Sequence, residues 1–480
     1  MLIRKLLFVC CLWVLILQPS FAEVLLPNIF AHHMVLQRNQ PVVIFGTASQ
    51  GEKITVSFDR QVLRTMADAQ GNWKVSLKPM AANAVGQDLV IAGENTITLH
   101  DVLVGEVWLC SGQSNMEYQM RKLAKLSAPE KDAYFPKNAV EEANNPNIRL
   151  FLVRRKSLAR PNGQYNGWAV AQGAALRQFS AVGYFFAKNL QEELDVPVGV
   201  ISSSQSGSRI EPWLPEQALR EEPYFHGKEL TGDPGKFFDT MIAPLAPYTM
   251  KGFLWYQGES NVFLQENISY AYKQKVLIES WRKLWNDNNL PFYFTQIVPF
   301  LYSLDEQGKE RMARTVLPEF WEAQSLLLQL PHTGRVTTTD LVDHITDLHP
   351  SYKWEIGRRL ALQALAKTCH KPIEADGPTF QKVRLKGGKA HVYFDHAKGL
   401  HARDGKSLSC FEVAGKDGIF VNAAAKLKGD MVELTAPSIK KITEIRFAWD
   451  EAAQPNLVNE AGLPALSFRS NNPYQKLKLN

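Results

Sequence analysis

The chain has 480 residues, 45% of them hydrophobic and 10% aromatic, which suits two or three folded domains and excludes a disordered polymer. Its formal charge of +6, from 54 basic and 48 acidic side chains, lacks the strong basic excess of a nucleic-acid binder. There is no internal repeat, His-Glu-x-x-His motif, phosphate loop or dinucleotide fingerprint, so the expected chemistry uses no cofactor and no metal.

Residues 1–22 read as a secretory signal peptide. Arg4 and Lys5 precede an apolar stretch from Leu6 to Leu17, and Ser20-Phe21-Ala22 supplies the small residues for cleavage before Glu23. The stretch is too short for a comfortable membrane span, so the mature protein is expected to be secreted or periplasmic and free of the membrane. Cleavage would leave Cys110, Cys369 and Cys410. That odd, widely spaced set excludes a fully paired disulfide framework, and leaves open either one Cys369 to Cys410 bridge or unpaired thiols.

Residues 23–103 alternate apolar and polar positions in short runs separated by Gly, Asn and Asp, the pattern of a small antiparallel β domain. Residues 104–368 alternate strand-like runs with helical patterns, among them 182–194 and 270–285, which predicts a parallel sheet flanked by helices. From 369 to 480 strands return, as in His391-Val392-Tyr393-Phe394, predicting a second β-sandwich. The expected fold class is therefore α/β, a parallel sheet with a β-sandwich-like domain at each end.

Four segments of the central region carry chemistry. The apolar run Gly105-Glu106-Val107-Trp108-Leu109-Cys110 leads into Ser111-Gly112-Gln113-Ser114-Asn115-Met116, and active sites of open α/β sheets lie beyond the carboxyl ends of such strands. Ser114 is the candidate nucleophile. Met116 stands where a nucleophile elbow needs its second glycine, which argues against an α/β-hydrolase. The second run, Val196-Pro197-Val198-Gly199-Val200-Ile201, leads to Gly207, whose backbone N–H can approach an oxyanion without a Cβ in the way. The third ends in Gln257-Gly258-Glu259-Ser260-Asn261, where Asn261 is either an oxyanion donor or a helix N-cap. The last is Asp347-Leu348-His349-Pro350. His349 is the candidate general base, because an imidazole can take and return a proton near neutrality.

Together these blocks resemble the SGNH hydrolases, in the Gly-Gln-Ser-Asn and Gly-Glu-Ser-Asn forms of the sialate O-acetylesterase family. His33-Met34-Val35-Leu36-Gln37-Arg38 and the segment 456–465 are similar to that family's terminal signatures, so the resemblance spans nearly the whole mature chain. The segment 456–465 is expected to cross back over the central domain. The resemblance implies a carbohydrate O-acetylesterase with Ser114, His349 and Asp347 as catalytic residues and Gly207, Asn261 and the Ser114 N–H as the oxyanion hole.

Two departures stand out. Ser206-Gly207-Ser208 replaces a Gly-Gly-Thr string, and Thr346 occupies the position three before the histidine. Asp347 lies two before it, and Asp340, Asp343 or a backbone carbonyl in a Ser-His dyad remain alternatives for orienting the ring. The implied partner is an acetylated carbohydrate, sialate first and acetylated xylan or pectin second. A carbohydrate-binding protein on an inactive esterase scaffold is the rival from another class. Trp213 and Trp255 are expected to stack on sugar, and Arg209 to meet a sialic acid carboxylate or to pair with Glu211. Oligomeric state is left open.

Overall fold

A computed structural model describes residues 23–123, 125–126, 134–153 and 167–479. The expected signal peptide lies outside the described residues. The central sheet is formed by β1 (Thr96–Gly112), β2 (Ile148–Leu152), β3 (Trp168–Val170), β4 (Val198–Ser204), β5 (Gly252–Tyr256), β6 (Phe292–Thr295) and β7 (Thr333–Val336). Its order is β7-β6-β5-β1-β4-β2-β3, parallel throughout except for the antiparallel pair β2 and β3. Strands β4, β5, β6 and β7 are buried along their whole length, as parallel strands covered on both faces should be.

The pleat sends neighbouring side chains to opposite faces, and each face has its own helix. Helix α1 (Ser114–Glu117) follows β1, and α2 (Ala181–Leu194) covers the face from which Cys110 projects toward Gly183. Helix α3 (Glu259–Val262) follows β5, and α4 (Ile268–Leu284) covers the other face, where Phe253 meets Trp281 with ring centroids 5.4 Å apart. Helix α5 (Lys353–Gln363) packs on α2. The expected helices 182–194 and 270–285 thus coincide with α2 and α4 to within a residue or two.

The amino-terminal strands form antiparallel pairs, 42–47 with 72–77 and 53–58 with 61–66 and 83–92. The boundary expected at 103/104 falls inside β1, which is mostly partly exposed from Thr96 to Asp101 and wholly buried from Val102 onward. One hydrophobic core accordingly runs from the amino-terminal strands through the central sheet, while the carboxyl-terminal strands enclose a separate one.

In that last region β8 (Thr379–Lys386), β9 (Lys389–Asp395), β10 (Ala424–Lys428) and β11 (Met431–Thr435) form one sheet in the order β8-β9-β11-β10. It packs through Val392, Val432 and Leu434 on a second sheet carrying Val413, Ile445 and Phe447. The segment 456–465 stays with these strands, where Leu457 and Val458 pair with Ala402 and His401, and does not cross the central domain as expected. The final turn returns to the central core, through Tyr474, Leu477 and Leu479. Cys110, Cys369 and Cys410 are free thiols.

Candidate active site

Parallel register brings the first three blocks to one level. Gly112 pairs with Ser204 on one side and Tyr256 on the other, so β1, β4 and β5 end together and release their loops side by side. The junction is tight: a Cβ on Gly112 would lie 2.1 Å from the Tyr256 carbonyl oxygen, at a φ of +145°. Side-chain amides then tie the loops together. Gln257 donates from Nε2 to Gln113 Oε1 at 3.0 Å and to the Ser208 carbonyl at 3.2 Å. Asn115 donates from Nδ2 to Glu259 Oε1 at 2.5 Å and to the Leu348 carbonyl at 3.0 Å, linking the first, third and fourth blocks.

Ser114 is the first residue of α1 and is half-buried, with its Oγ 2.7 Å from His349 Nε2. Two residues 235 apart in sequence thus meet at hydrogen-bond distance. Burial, and secondarily the charge of Lys353, hold the His349 pKa below its ordinary 6.5, against the opposing charge of Asp347. Lys353 itself is fully buried, donating to the Pro350 carbonyl, and desolvation brings its amine down to about 7. Burial raises Glu259 to about 7 against the Asn115 hydrogen bond.

The expected acid is placed differently from expectation. Asp347 Oδ1 accepts from the His349 backbone N–H at 2.8 Å, and no hydrogen bond joins its carboxylate to the imidazole among the described residues. It is an exposed turn former whose charge reaches the ring through space. Asp340 is sequestered by Arg359 and Arg403, both at 2.6 Å, and Asp343 accepts from the Tyr352 hydroxyl.

Gly207 is exposed at a φ of +72°, a left-handed turn that favours glycine. The preceding residue is anchored by a group that sequence reasoning missed. Glu117 Oε2 accepts from the Ser206 N–H at 2.6 Å and from the Ser206 hydroxyl at 2.5 Å. With the Ser206 donor occupied, the open donors are the N–H groups of Ser114 and Gly207, which have no acceptor among the described residues.

Asn261 is fully buried. Its Oδ1 accepts from the Ile210 N–H and from Gln257, and its Nδ2 donates to Glu211 Oε2 at 3.3 Å. The carboxamide therefore joins loops in the interior, with its donor facing a carboxylate.

Trp213 and Trp255 require a correction as sugar platforms. Both have 0% exposure and pack edge to face on each other, with their indole N–H groups directed to Ser208 and Tyr270. No ring face is open to a pyranose. Arg209 is partly exposed, 3.9 Å from Glu211, and lines a cleft of about 390 Å³ that also includes Gly207, Asp233 and Lys236.

Nothing in the residue types of Asn115, Glu117, Glu259 or Lys353 marked them beforehand. Only their closeness in sequence to Ser114, Asn261 and His349 could have drawn attention to them.

The family profile described as carbohydrate esterase, sialic acid-specific acetylesterase matches residues 104–366. The chain is 34% identical to a carbohydrate acetylesterase from Xanthomonas citri, whose crystal structure aligns with a TM-score of 0.81 over 93% of this chain and 99% of that one. The sialate O-acetylesterases of Rattus norvegicus and Homo sapiens are each 26% identical, covering 79% of this chain and 81% and 78% of theirs. No described helix is long and apolar enough to cross a membrane. A profile match over more than half of the chain, with a fold shared almost end to end, makes this protein a carboxylic ester hydrolase of the sialic acid-specific acetylesterase family of carbohydrate esterases.

Proposed function

We propose that the protein is a serine carbohydrate O-acetylesterase acting through an acetyl-serine intermediate. The observation that carries this reading is the 2.7 Å contact between Ser114 Oγ and His349 Nε2 at the shared end of three parallel strands. Ser114 Oγ attacks the acetyl carbonyl carbon as its proton passes to His349 Nε2. The tetrahedral oxyanion accepts hydrogen bonds from the Ser114 and Gly207 N–H groups, each worth about 2.7 to 4 kcal/mol in the transition state. Collapse breaks the ester C–O bond, and His349 returns the proton to the departing sugar hydroxyl. Water, deprotonated by the same imidazole, then hydrolyses acetyl-Ser114 to acetate.

Asn261 is not assigned to the oxyanion hole in this reading, since it is fully buried with its Nδ2 3.3 Å from Glu211 Oε2. Asp347 acts on the imidazolium through its charge and through the His349 N–H.

The substrate we infer is an acetylated sialic acid. The family description and the named relatives support it, as does Arg209, whose guanidinium lines the cleft beside Gly207 and suits a carboxylate. The leader-like residues 1–22 support a secreted or periplasmic location.

Acetate release from acetylated sialic acids, acetylxylan and acetylated pectin tests this. Faster turnover of the sialic acid, with a raised KM in Arg209→Ala, is expected. Faster turnover of xylan or pectin with an unchanged KM in the variant would redirect the specificity, and no acetate from any of the three would overturn the reading.

A further inference from the structure

The outer face of the β8-β9-β11-β10 sheet has a composition that packing does not explain. Residues directly opposite in antiparallel strands project to the same side, so register sorts the sheet into two faces. Inward go Val383, Val392, Val432 and Leu427, and Leu385, Ala390, Leu434 and Ala425. Outward go Lys382, Tyr393, Met431 and Lys428 in one row, and Arg384, His391, Glu433 and Lys426 in the next. Lys386 and Lys389 close that side at one end and Asp395 at the other.

Six cations therefore share this face with two carboxylates, a net of +4. Residues 23–480 hold 52 basic side chains, the chain's 54 less Arg4 and Lys5, against 48 acidic ones, also a net of +4. One sheet face thus carries the whole charge excess, and the remainder of the molecule is balanced.

The charges are largely uncompensated. Glu433 pairs with Lys389 at 3.1 Å and with His391 at 3.2 Å, and Asp395 accepts from Gln381. Lys382, Arg384, Lys386, Lys426 and Lys428 are exposed and have no ion pair among the described residues. Like charges repel where Lys382, Arg384 and Lys386 follow one another about 6.8 Å apart along β8, where Lys426 and Lys428 do so along β10, and where Lys386 stands opposite Lys389, which costs stability unless a ligand neutralises them. At the centre sits Tyr393, half-buried, with Lys382 and Arg384 at 5.4 and 5.3 Å from its ring centroid. A tyrosine fixed among extended cations combines an apolar ring with charge, which is suited to a polymer of sugars bearing carboxylates.

We propose that this face is a docking surface for an anionic polysaccharide with a carboxylate on its sugar residues. It would hold the polymer on the carboxyl-terminal sandwich while the esterase site acts elsewhere on the chain. Duplex DNA, which shares only the negative charge, is the control partner. This surface is separate from Ser114 and His349, so its test does not depend on their assignment.

The experiment is affinity electrophoresis of the full chain through gels containing polysialic acid, polygalacturonate, neutral xylan or duplex DNA, alongside hydrolysis of p-nitrophenyl acetate. The wild type should be retarded by at least one carboxylated polymer and not by xylan. Lys382→Gln combined with Arg384→Gln and Lys426→Gln should weaken retardation at least tenfold in apparent Kd, with unchanged ester hydrolysis as proof of folding. Tyr393→Ala keeps the charge and should also weaken it. Which carboxylated polymer retards the protein more identifies the source of the ligand. The proposal fails if neither carboxylated polymer retards the wild type, if the charge variant migrates like the wild type, or if DNA is held as tightly and Tyr393→Ala has no effect.

Discussion

His349 stands between two opposing charges. Burial and Lys353 disfavour the imidazolium while Asp347 favours it, and the balance lies below the ordinary imidazole value of 6.5. If neutral His349 is the base, kcat/KM rises with pH and levels off, with its midpoint below 6.5. Lys353→Met removes a positive neighbour, raises the imidazole pKa and moves that limb to higher pH. A limb unmoved in Lys353→Met, or a wild-type midpoint above 7, would contradict the electrostatic account.

Asp347→Asn moves the limb the other way, because the carboxylate is what favours the charged ring. Its effect on turnover separates two geometries. An acid bonded to the ring costs about 10⁴ in kcat when lost, whereas one held on the His349 backbone N–H should cost about tenfold to a hundredfold. Steady-state kinetics of Asp347→Asn therefore distinguishes the observed turn from the triad read in the sequence, and a 10⁴-fold loss would mean that the carboxylate reaches the imidazole during catalysis.

Among elements, the strand ends set the site and α1 holds its second loop. Glu117 lies three residues after Ser114 and fixes Ser206, the residue before Gly207, by two hydrogen bonds. Glu117→Ala should lower kcat about tenfold with little change in KM, since it loosens a donor used chiefly in the transition state. Glu117→Gln, which retains an acceptor oxygen, should recover much of that loss. Equal losses in both variants, or a change confined to KM, would argue that Glu117 contacts substrate instead.

The apolar runs 105–110, 196–201 and 252–256 were readable as strands because buried parallel strands are continuous in sequence, but the polar residues that carry β1 on to Gly112 and β4 on to Ser204 were not. The meeting of Ser114 with His349 was implied by the resemblance of the four blocks to the SGNH hydrolases and not by strand pattern, since the block 347–350 lies in a loop well beyond the end of β7. Trp213 and Trp255 could not be read this way. Nearness to a loop in sequence says nothing about which side of a pleat or turn a side chain takes, and both point into the core. Likewise Asn261 and Asp347 were identified by residue type, but the partner of a carboxamide or carboxylate depends on tertiary neighbours, here Glu211 and a backbone N–H.

Across the whole molecule, β1 runs through the boundary expected at 103/104, from one sheet region into the next, with only its exposure pattern changing. The carboxyl-terminal sandwich was legible from its alternating strands, but its attachment was not. It is fastened by long-range ion pairs, Arg403 to Asp340 at 2.6 Å, Asp450 to Arg314 at 2.7 Å and Arg469 to Glu322 at 2.8 Å.

Asp340 is the buried member of the first. Burial raises its pKa, but Arg359 and Arg403 outweigh that and hold it below 3.8. Its contribution to stability is complete above that unfolded value and is lost as pH falls through the lower folded one. Asp340→Asn removes one carboxylate from Arg359, which keeps Glu355, and from the partly exposed Arg403, and should cost about 1.5 to 3 kcal/mol in chemical denaturation, while the acid limb of kcat/KM stays where it was. A shifted limb would return Asp340 to consideration as the orienting acid.

The central claim is that Ser114 is the nucleophile, and acetate release by Ser114→Ala measures it most directly. With the thermal transition of the wild type retained, kcat should fall by about 10³ or more, the residual rate coming from the oxyanion donors alone. A folded Ser114→Ala protein that turns over near the wild-type rate would contradict the account.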